Sequence, residues 1–303
     1  MTKEFPHIAF LGIGLMGAPM TRNLLGAGFP MTLWNRTASK CEPFASEATV
    51  ANTPADAVRS ADVVITMLEN SDIVEQVMIA SGAMAAMKPG ALVIDMSSIQ
   101  PSVARRHAAL AAEKDVGYVD APVSGGTLGA QEARLSIMAG GSEEDVLRAR
   151  PIFEVLGKCT RIGPVGAGQL AKLANQAIVG ITIGAVSEAL LLAARGGADP
   201  AAVREALMGG FAGSRILELH VQRMIDRDFA PGAPARIQLK DLRMILDEAR
   251  AEGLTLPLSQ QVHNGYLSLV ANGHSDADHS GLLLELEHIN GTRLGANGPG
   301  PKD

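Results

Sequence analysis

The sequence predicts a two-domain protein: an α/β domain built on a mostly parallel, doubly wound sheet, then an all-α domain reached through one long helix. Three observations carry this. Up to Gly163, short β-branched apolar runs alternate with helix-like segments. After Gly163-Pro164 the strand signal stops and helical patterns take over. At the change stands "GAGQLAKLANQ" (166–176), the head of an apolar stretch in which residues 173–187 contain no acid, base or histidine. The expected domains are 1–164 and 165–295, with the joining helix over about 168–195. The tail 296–303 is Gly/Pro-rich and is expected to be disordered.

Six strands are expected: "HIAFLGIG" (7–14), "MTLWNR" (31–36), "DVVITML" (62–68), "ALVIDMS" (91–97), "GYVDAPVS" (117–124) and "LSIMAG" (135–140). Continuous apolar runs of this length suit strands covered on both faces. Helices between them imply right-handed crossovers and parallel pairing. "TPADAVRSA" opens one such helix with a Thr cap and a Pro in the first turn. The link "GGTLGAQEAR" is too short for a crossover helix, so the sixth strand is expected to run antiparallel. In the second domain, helices are expected over 199–210, 235–253 and 256–273.

Composition narrows the function. Of 303 residues, 47% are apolar and 19% charged, an ordinary soluble balance. The formal charge of −6 offers no basic field for nucleic acid or an anionic membrane. The uncharged run 173–187 is shorter than the roughly 20 residues a spanning helix needs, so it is read as a buried helix. Cys41 and Cys159 match no metal spacing and are read as free thiols. No metal-ligand cluster is evident. The N-terminal segment runs straight into a strand with no targeting pattern, and a cytoplasmic location is expected.

The first strand ends in "FLGIGLMGAPM", where Gly12, Gly14 and Gly17 enclose Ile13, Leu15 and Met16. The first glycine turns the chain, the second lets backbone approach a pyrophosphate, and the third lets helix pack on strand. The helix start then offers N–H groups and positive dipole to phosphates. Strand, loop, helix and a further strand are the context this dinucleotide fingerprint requires, so a Rossmann domain is expected. The second strand ends in Asn35-Arg36-Thr37, where an NAD-selective site would carry an acid for the ribose 2′-hydroxyl. Arg36 and Thr37 suit a 2′-phosphate instead, so NADP(H) is preferred over NAD(H).

Two further stretches carry chemistry. Ser124-Gly125-Gly126 offers a hydroxyl and two unshielded N–H groups, read at the carboxyl end of the fifth, parallel strand, where ligands collect. Such a nest suits a small carboxylate. On a helix, Asn175 and Gln176 lie three and four residues beyond Lys172 and share its face. An ammonium with two amides on an otherwise apolar helix suits proton exchange near neutral pH, helped by the lowered pKa that partial burial implies. Lys240, followed by Asp241, reads by itself as an exposed charge pair.

"GIGLMGAPM", "DMSSIQP", "DAPVSGG", "GAGQLAKLANQ" and "LKDL" resemble, in order and spacing, the β-hydroxyacid dehydrogenase family over about residues 7–290. The resemblance implies Lys172 as catalytic acid/base, Asn175 as its substrate-binding neighbour, and Ser124, Gly125 and Gly126 as the carboxylate site. It implies Met67, Leu68, Ser98 and Lys240 as cofactor contacts, and a homo-oligomer formed through the helical domain. "KLANQAIVGITIGAVSEAL", "GGFAGSRIL", "MIDRDFAPG" and "DADHSGL" resemble the tartronate semialdehyde reductase branch. The implied reaction is reversible hydride transfer between NADP(H) and a short 3-hydroxyacid or semialdehyde, tartronate semialdehyde to D-glycerate first. "PGAPARIQLKDL" and Ala133-Arg134 depart from the usual pattern, which leaves 3-hydroxyisobutyrate and threonate open as substrates. An imine reductase and a catalytically inactive NADP-binding sensor are the competing readings. Lys172 speaks against the first, and Lys172 with Ser124-Gly125-Gly126 against the second.

Overall fold

The computed structural model describes residues 5–295. The tail predicted over 296–303 lies outside the described residues. The chain divides into two compact units after Lys172.

The first unit opens with β1 (Ile8–Leu11), α1 (Gly17–Gly26), β2 (Met31–Trp34), β3 (Thr49–Val50), α2 (Pro54–Val58) and β4 (Val63–Thr66). It continues through α3 (Ser71–Glu75), α4 (Ala83–Ala86), β5 (Leu92–Asp95), α5 (Pro101–Ala112) and β6 (Gly117–Asp120). It closes with β7 (Val123–Ser124), α6 (Gly126–Gln131), β8 (Leu135–Gly140), α7 (Glu143–Leu156) and β9 (Gly157–Gly163). The sheet order is β3-β2-β1-β4-β5-β6-β8-β7, with β9 paired to β8. The strands β3, β2, β1, β4, β5 and β6 are all parallel. Strand periodicity sorts the side chains into two cores, one on each face. Ile8, Phe10, Ile65 and Ile94 point to one, and Ala9, Leu11, Val64 and Val93 to the other. That is the buried doubly wound sheet expected from the continuous apolar runs.

β8 runs antiparallel to β6 and β7, as its short connection requires. Two expectations change. The predicted fifth strand, 117–124, breaks into β6 and β7 at Ala121-Pro122, because a proline carries no N–H for a central ladder. Strands β3 and β9 were not expected. β9 ("GKCTRIG") is polar and largely exposed, so it lacks the apolar run that marks a buried strand.

α8 (Ala167–Arg195) begins in the first unit and continues into the second. There follow α9 (Pro200–Met208), α10 (Arg215–Asp226), α11 (Ala235–Ala251), α12 (Pro257–Ala271) and α13 (Leu282–Ile289). α10 and α13 were not predicted. By length and composition α8 is apolar enough to cross a membrane. Its Leu173, Ile183 and Leu190 instead sit in the core of the second unit with Leu242, Tyr266 and Leu283. His220, Asp278 and His279 lie close enough to hold a metal. However, Asp278 already accepts from Gly232 N, Ala233 N and Ser280 and pairs with Arg223, so a metal would have to displace those donors.

Candidate active site

The glycine loop behaves as its spacing predicts. Gly12 has φ +112°, and a Cβ there would lie 2.4 Å from the Met67 carbonyl oxygen. A Cβ on Gly17 would lie 1.9 Å from the Gly12 carbonyl oxygen. Gly14 has no neighbouring atom within 4 Å of such a Cβ, and Leu15 beside it is exposed. α1 has Met16 at its N-cap and no side-chain cap, so no side chain covers the helix start where the positive end of its dipole faces the loop. Open space at the second glycine and an uncapped helix start make a cradle that fits a dinucleotide pyrophosphate. The loop follows β1, the strand where the sheet order reverses, which is where open α/β sheets take ligands.

Neighbouring strand ends support this cradle. Asn35 half-buries its amide, accepting from Ile13 N at 2.9 Å and donating to the Thr37 carbonyl at 2.9 Å. It therefore staples loop to strand end, while Arg36 and Thr37 stand exposed. Exposed Lys40, which sequence reasoning missed, adds a cation one turn further on. Met67 and Leu68 follow β4, and Leu68 N donates to Ser97 Oγ at 3.0 Å. Ser98 follows β5 and is half-buried. Asp95, fully buried, accepts from Thr66 Oγ1, Ser97 N and Tyr118 OH. Desolvation raises its pKa despite these donors.

Ser124 lies in β7, an antiparallel pair with β8, and not at the end of a parallel strand as predicted. The Pro122 break shifts it past the end of β6. Gly125 (φ +133°) and Gly126 (φ +63°) follow, both exposed, and only glycine holds such angles without strain. The turn thus presents two successive exposed glycines beside a serine, the backbone form of a carboxylate nest.

Lys172 is buried, on the sixth residue of α8. Its helix is anchored through Asp120, which accepts from Gly166 N at 2.7 Å and Gln169 N at 2.8 Å. Burial pushes the Asp120 carboxyl up to about 7 against the pull of these two N–H groups. Farther along α8, Asn175 donates to Gln176 Oε1 at 2.8 Å, and Gln176 Nε2 donates to Asp241 Oδ2 at 2.6 Å. Asp241 also meets Lys240 Nζ at 3.1 Å. This pair is no exposed charge pair: Asp241 is 2% exposed and Lys240 20%. Sequence reasoning missed Gln238, which joins the network by donating to the Gln176 carbonyl. Gly180 is what admits it, since a Cβ there would lie 2.8 Å from Gln238 Nε2.

Residues 7–163 match the NAD-binding domain of 6-phosphogluconate dehydrogenase, and residues 166–286 match the NAD-binding domain of NADP-dependent 3-hydroxyisobutyrate dehydrogenase. The chain is 43% identical to 2-hydroxy-3-oxopropionate reductase of Escherichia coli K12, covering 92% of this chain and 97% of that protein. It is 39% identical to a probable mitochondrial 3-hydroxyisobutyrate dehydrogenase-like protein of Arabidopsis thaliana, over 96% and 88%. A solved 3-hydroxyisobutyrate dehydrogenase of Mycobacterium tuberculosis, with L-serine, superposes with a TM-score of 0.85 at 34% identity, over 93% and 99%. Two family models together span residues 7–163 and 166–286, the relatives are covered over nearly their whole length, and the chain belongs to the β-hydroxyacid dehydrogenase family of NAD(P)-dependent oxidoreductases.

Proposed function

We propose that this enzyme catalyses the reversible NADP(H)-dependent reduction of tartronate semialdehyde to D-glycerate. The observation that carries the reading is Lys172: a buried ammonium on α8 with an amide, Asn175, on the same helix face. The similarity to the Escherichia coli reductase supports the choice of substrate. Gly12, Gly14, Leu15, Met16 and Gly17 hold the pyrophosphate, and Met67, Leu68, Ser98 and Lys240 line the rest of the dinucleotide. Asn35 sets the loop, while Arg36 and Thr37 meet the 2′-phosphate. The bound nicotinamide supplies or takes the hydride. Lys172 donates a proton to the carbonyl oxygen in reduction and removes it from the hydroxyl in oxidation, also countering negative charge on that oxygen. Ser124 Oγ and the N–H groups of Gly125 and Gly126 hold the substrate carboxylate, and Asn175 holds the hydroxyl end.

The enzyme is further read as a soluble, cytoplasmic homo-oligomer. Exposed Ile178 and Leu192 on α8 and Phe211 beyond α9 supply apolar surface on the helical unit for a second copy. Light scattering at assay concentration tests this, and a monomer there refutes it. The competing substrates are 3-hydroxyisobutyrate and L-serine, the latter present with the Mycobacterium tuberculosis relative. NADPH and NADH oxidation measured side by side with tartronate semialdehyde and methylmalonate semialdehyde, and NADP reduction with L-serine, decides among them. The reading requires the highest specificity constant for tartronate semialdehyde with NADPH. Lys172→Ala should cut turnover by roughly two to four orders of magnitude, the scale for losing a general acid, and leave NADPH affinity intact. Near-wild-type turnover in the folded variant would remove the lysine from the reaction.

A further inference from the structure

The first N–H groups of a helix have no partners within it, and a single local side chain usually answers one of them. α8 departs from this. A carboxylate from β6 answers two: Asp120 Oδ1 accepts from Gly166 N and Oδ2 from Gln169 N. Gln169 then reaches sideways to the end of β5. Its Nε2 donates to the Ser97 carbonyl at 2.8 Å, and its Oε1 accepts from Ile99 N at 3.1 Å. Asp120 is 0% exposed and Gln169 1%.

The backbones are as tightly set as the side chains. A Cβ on Gly168 would lie 2.3 Å from the Met138 carbonyl oxygen and 2.6 Å from that of Asp120. A Cβ on Gly140 would lie 2.5 Å from Asp120 Oδ1 and 2.7 Å from Gly168 N. Gly168 and Gly140 are therefore the residues that let the helix start press onto β6 and β8. Ser97, whose carbonyl holds Gln169, also holds Leu68 N through its Oγ. A chain of hydrogen bonds, part-buried at Leu68 and buried from Ser97 onward, thus runs from Leu68, after β4, to the first turn of α8 ahead of Lys172. Gln169 and Lys172 are three residues apart and share a helix face. Gly166 is buried with φ +91°, and a Cβ there would lie 3.0 Å from the Arg105 guanidinium, so no side chain of its own can cap the helix and the carboxylate must come from β6.

We propose that Asp120 and Gln169 are positioning residues for Lys172: they clamp the first turn of α8 to Ser97 and Ile99, so that the lysine amine meets the substrate oxygen from one fixed origin. This rests on the reading that Lys172 exchanges the substrate proton. The clamp acts on turnover, because a misplacement near 1 Å costs a reaction about a hundredfold. Its hydrogen bonds go to Ser97, Ile99, Gly166 and Gln169 and not to the Gly12–Gly17 loop, so pyrophosphate binding is expected to survive its loss.

The test uses Asp120→Asn, whose amide nitrogen cannot accept an N–H, and Gln169→Met, which keeps length and loses both hydrogen bonds. Each should lower kcat about 10- to 100-fold while NADPH Kd changes less than about twofold. Melting by circular dichroism verifies folding, and Gln169→Met carries the test if Asp120→Asn does not fold. Each substitution is then repeated in the Lys172→Ala background, with NADPH oxidation followed in single turnover at high enzyme concentration. Action through the lysine predicts a further change of less than about twofold there. A further 10-fold loss in that background overturns the positioning role, as does wild-type kcat in either folded single variant. Near-wild-type turnover in Lys172→Ala alone is a separate failure, that of the proposed chemistry itself.

Discussion

The helices α1 and α8 both begin in glycine-rich turns that follow a strand of the first unit, and they put those glycines to opposite use. At α1 the glycines hold the chain clear. Nothing stands within 4 Å of a Cβ on Gly14, and the helix start has no side-chain cap. At α8 the glycines bring the chain close. Gly168 sits against two carbonyl oxygens, and the orphan N–H groups are answered by the protein's own buried Asp120. Both ends present the same partial positive charge. One leaves it for a phosphate to meet; the other neutralises it internally and so becomes a rigid mount. A glycine-rich helix start is thus no evidence for an anion site until its neighbours are known.

The largest expected effect separates the two kinds of glycine by stability. Gly168→Ala must push apart α8, β6 and β8, and Gly17→Ala must push α1 off Gly12. Each should lose at least about 3 kcal/mol, the upper end for overpacking a core, or fail to fold. Urea unfolding measures this. A wild-type midpoint for Gly168→Ala would mean that α8 is free to shift, and the comparison would fail.

Much of this was legible beforehand. The alternating cores of β1, β4 and β5 follow from continuous apolar runs, and the cradle follows from three glycines in a known context. What escaped was long-range or lay at an edge. Nothing near Asp120 in sequence shows that its partners are Gly166 and Gln169, since the pairing exists only once β6 and α8 meet. β9 escaped because an exposed edge strand needs no apolar run. Lys240-Asp241 looked like solvated charge because helix periodicity alone did not show that Asp241 faces Gln176. Ser124 was assigned to a parallel strand end because the Pro122 break was not weighed against the apolar run around it.

The next effect tests how the closed helix start carries its charge. Burial raises Asp120 from an ordinary 3.8 to about 7. The native state then binds this proton more tightly than the unfolded chain does. Its contribution to stability is largest below about 4, falls as pH rises toward about 7, and is constant beyond. The melting temperature of the wild type, relative to Asp120→Asn, should decline across that window and level off above it. A difference that is flat from pH 4 to 8 would show that the carboxyl is ionised throughout.

Gly14→Ala probes the open helix start. With no atom near and no positive φ, the change should alter stability by less than about 0.5 kcal/mol. A methyl in the space meant for pyrophosphate should still weaken NADPH about tenfold or more, which is about 1.4 kcal/mol. Titration of NADPH fluorescence reads this directly. Unchanged affinity would mean that the open space is not where the nucleotide lies.

The smallest expected effect concerns what the open end selects. Asn35 accepts from Ile13 N and donates to the Thr37 carbonyl, so it staples the loop to the strand end. Arg36 and Thr37 are exposed and free of any acid at the strand end, and Lys40 stands beside them. An exposed guanidinium on a phosphate is partly screened, so its contribution is modest, on the order of 1 kcal/mol. Arg36→Ala combined with Thr37→Ala should therefore raise KM for NADPH about 5- to 10-fold and leave KM for NADH within about twofold. Lys40→Ala in the same background should remove what selectivity remains, since its ammonium would be a second, weaker counter-charge to a 2′-phosphate. Equal losses for the two cofactors would place the effect in the loop geometry that Asn35 maintains, and the strand end would then stabilise the cradle without reading the phosphate.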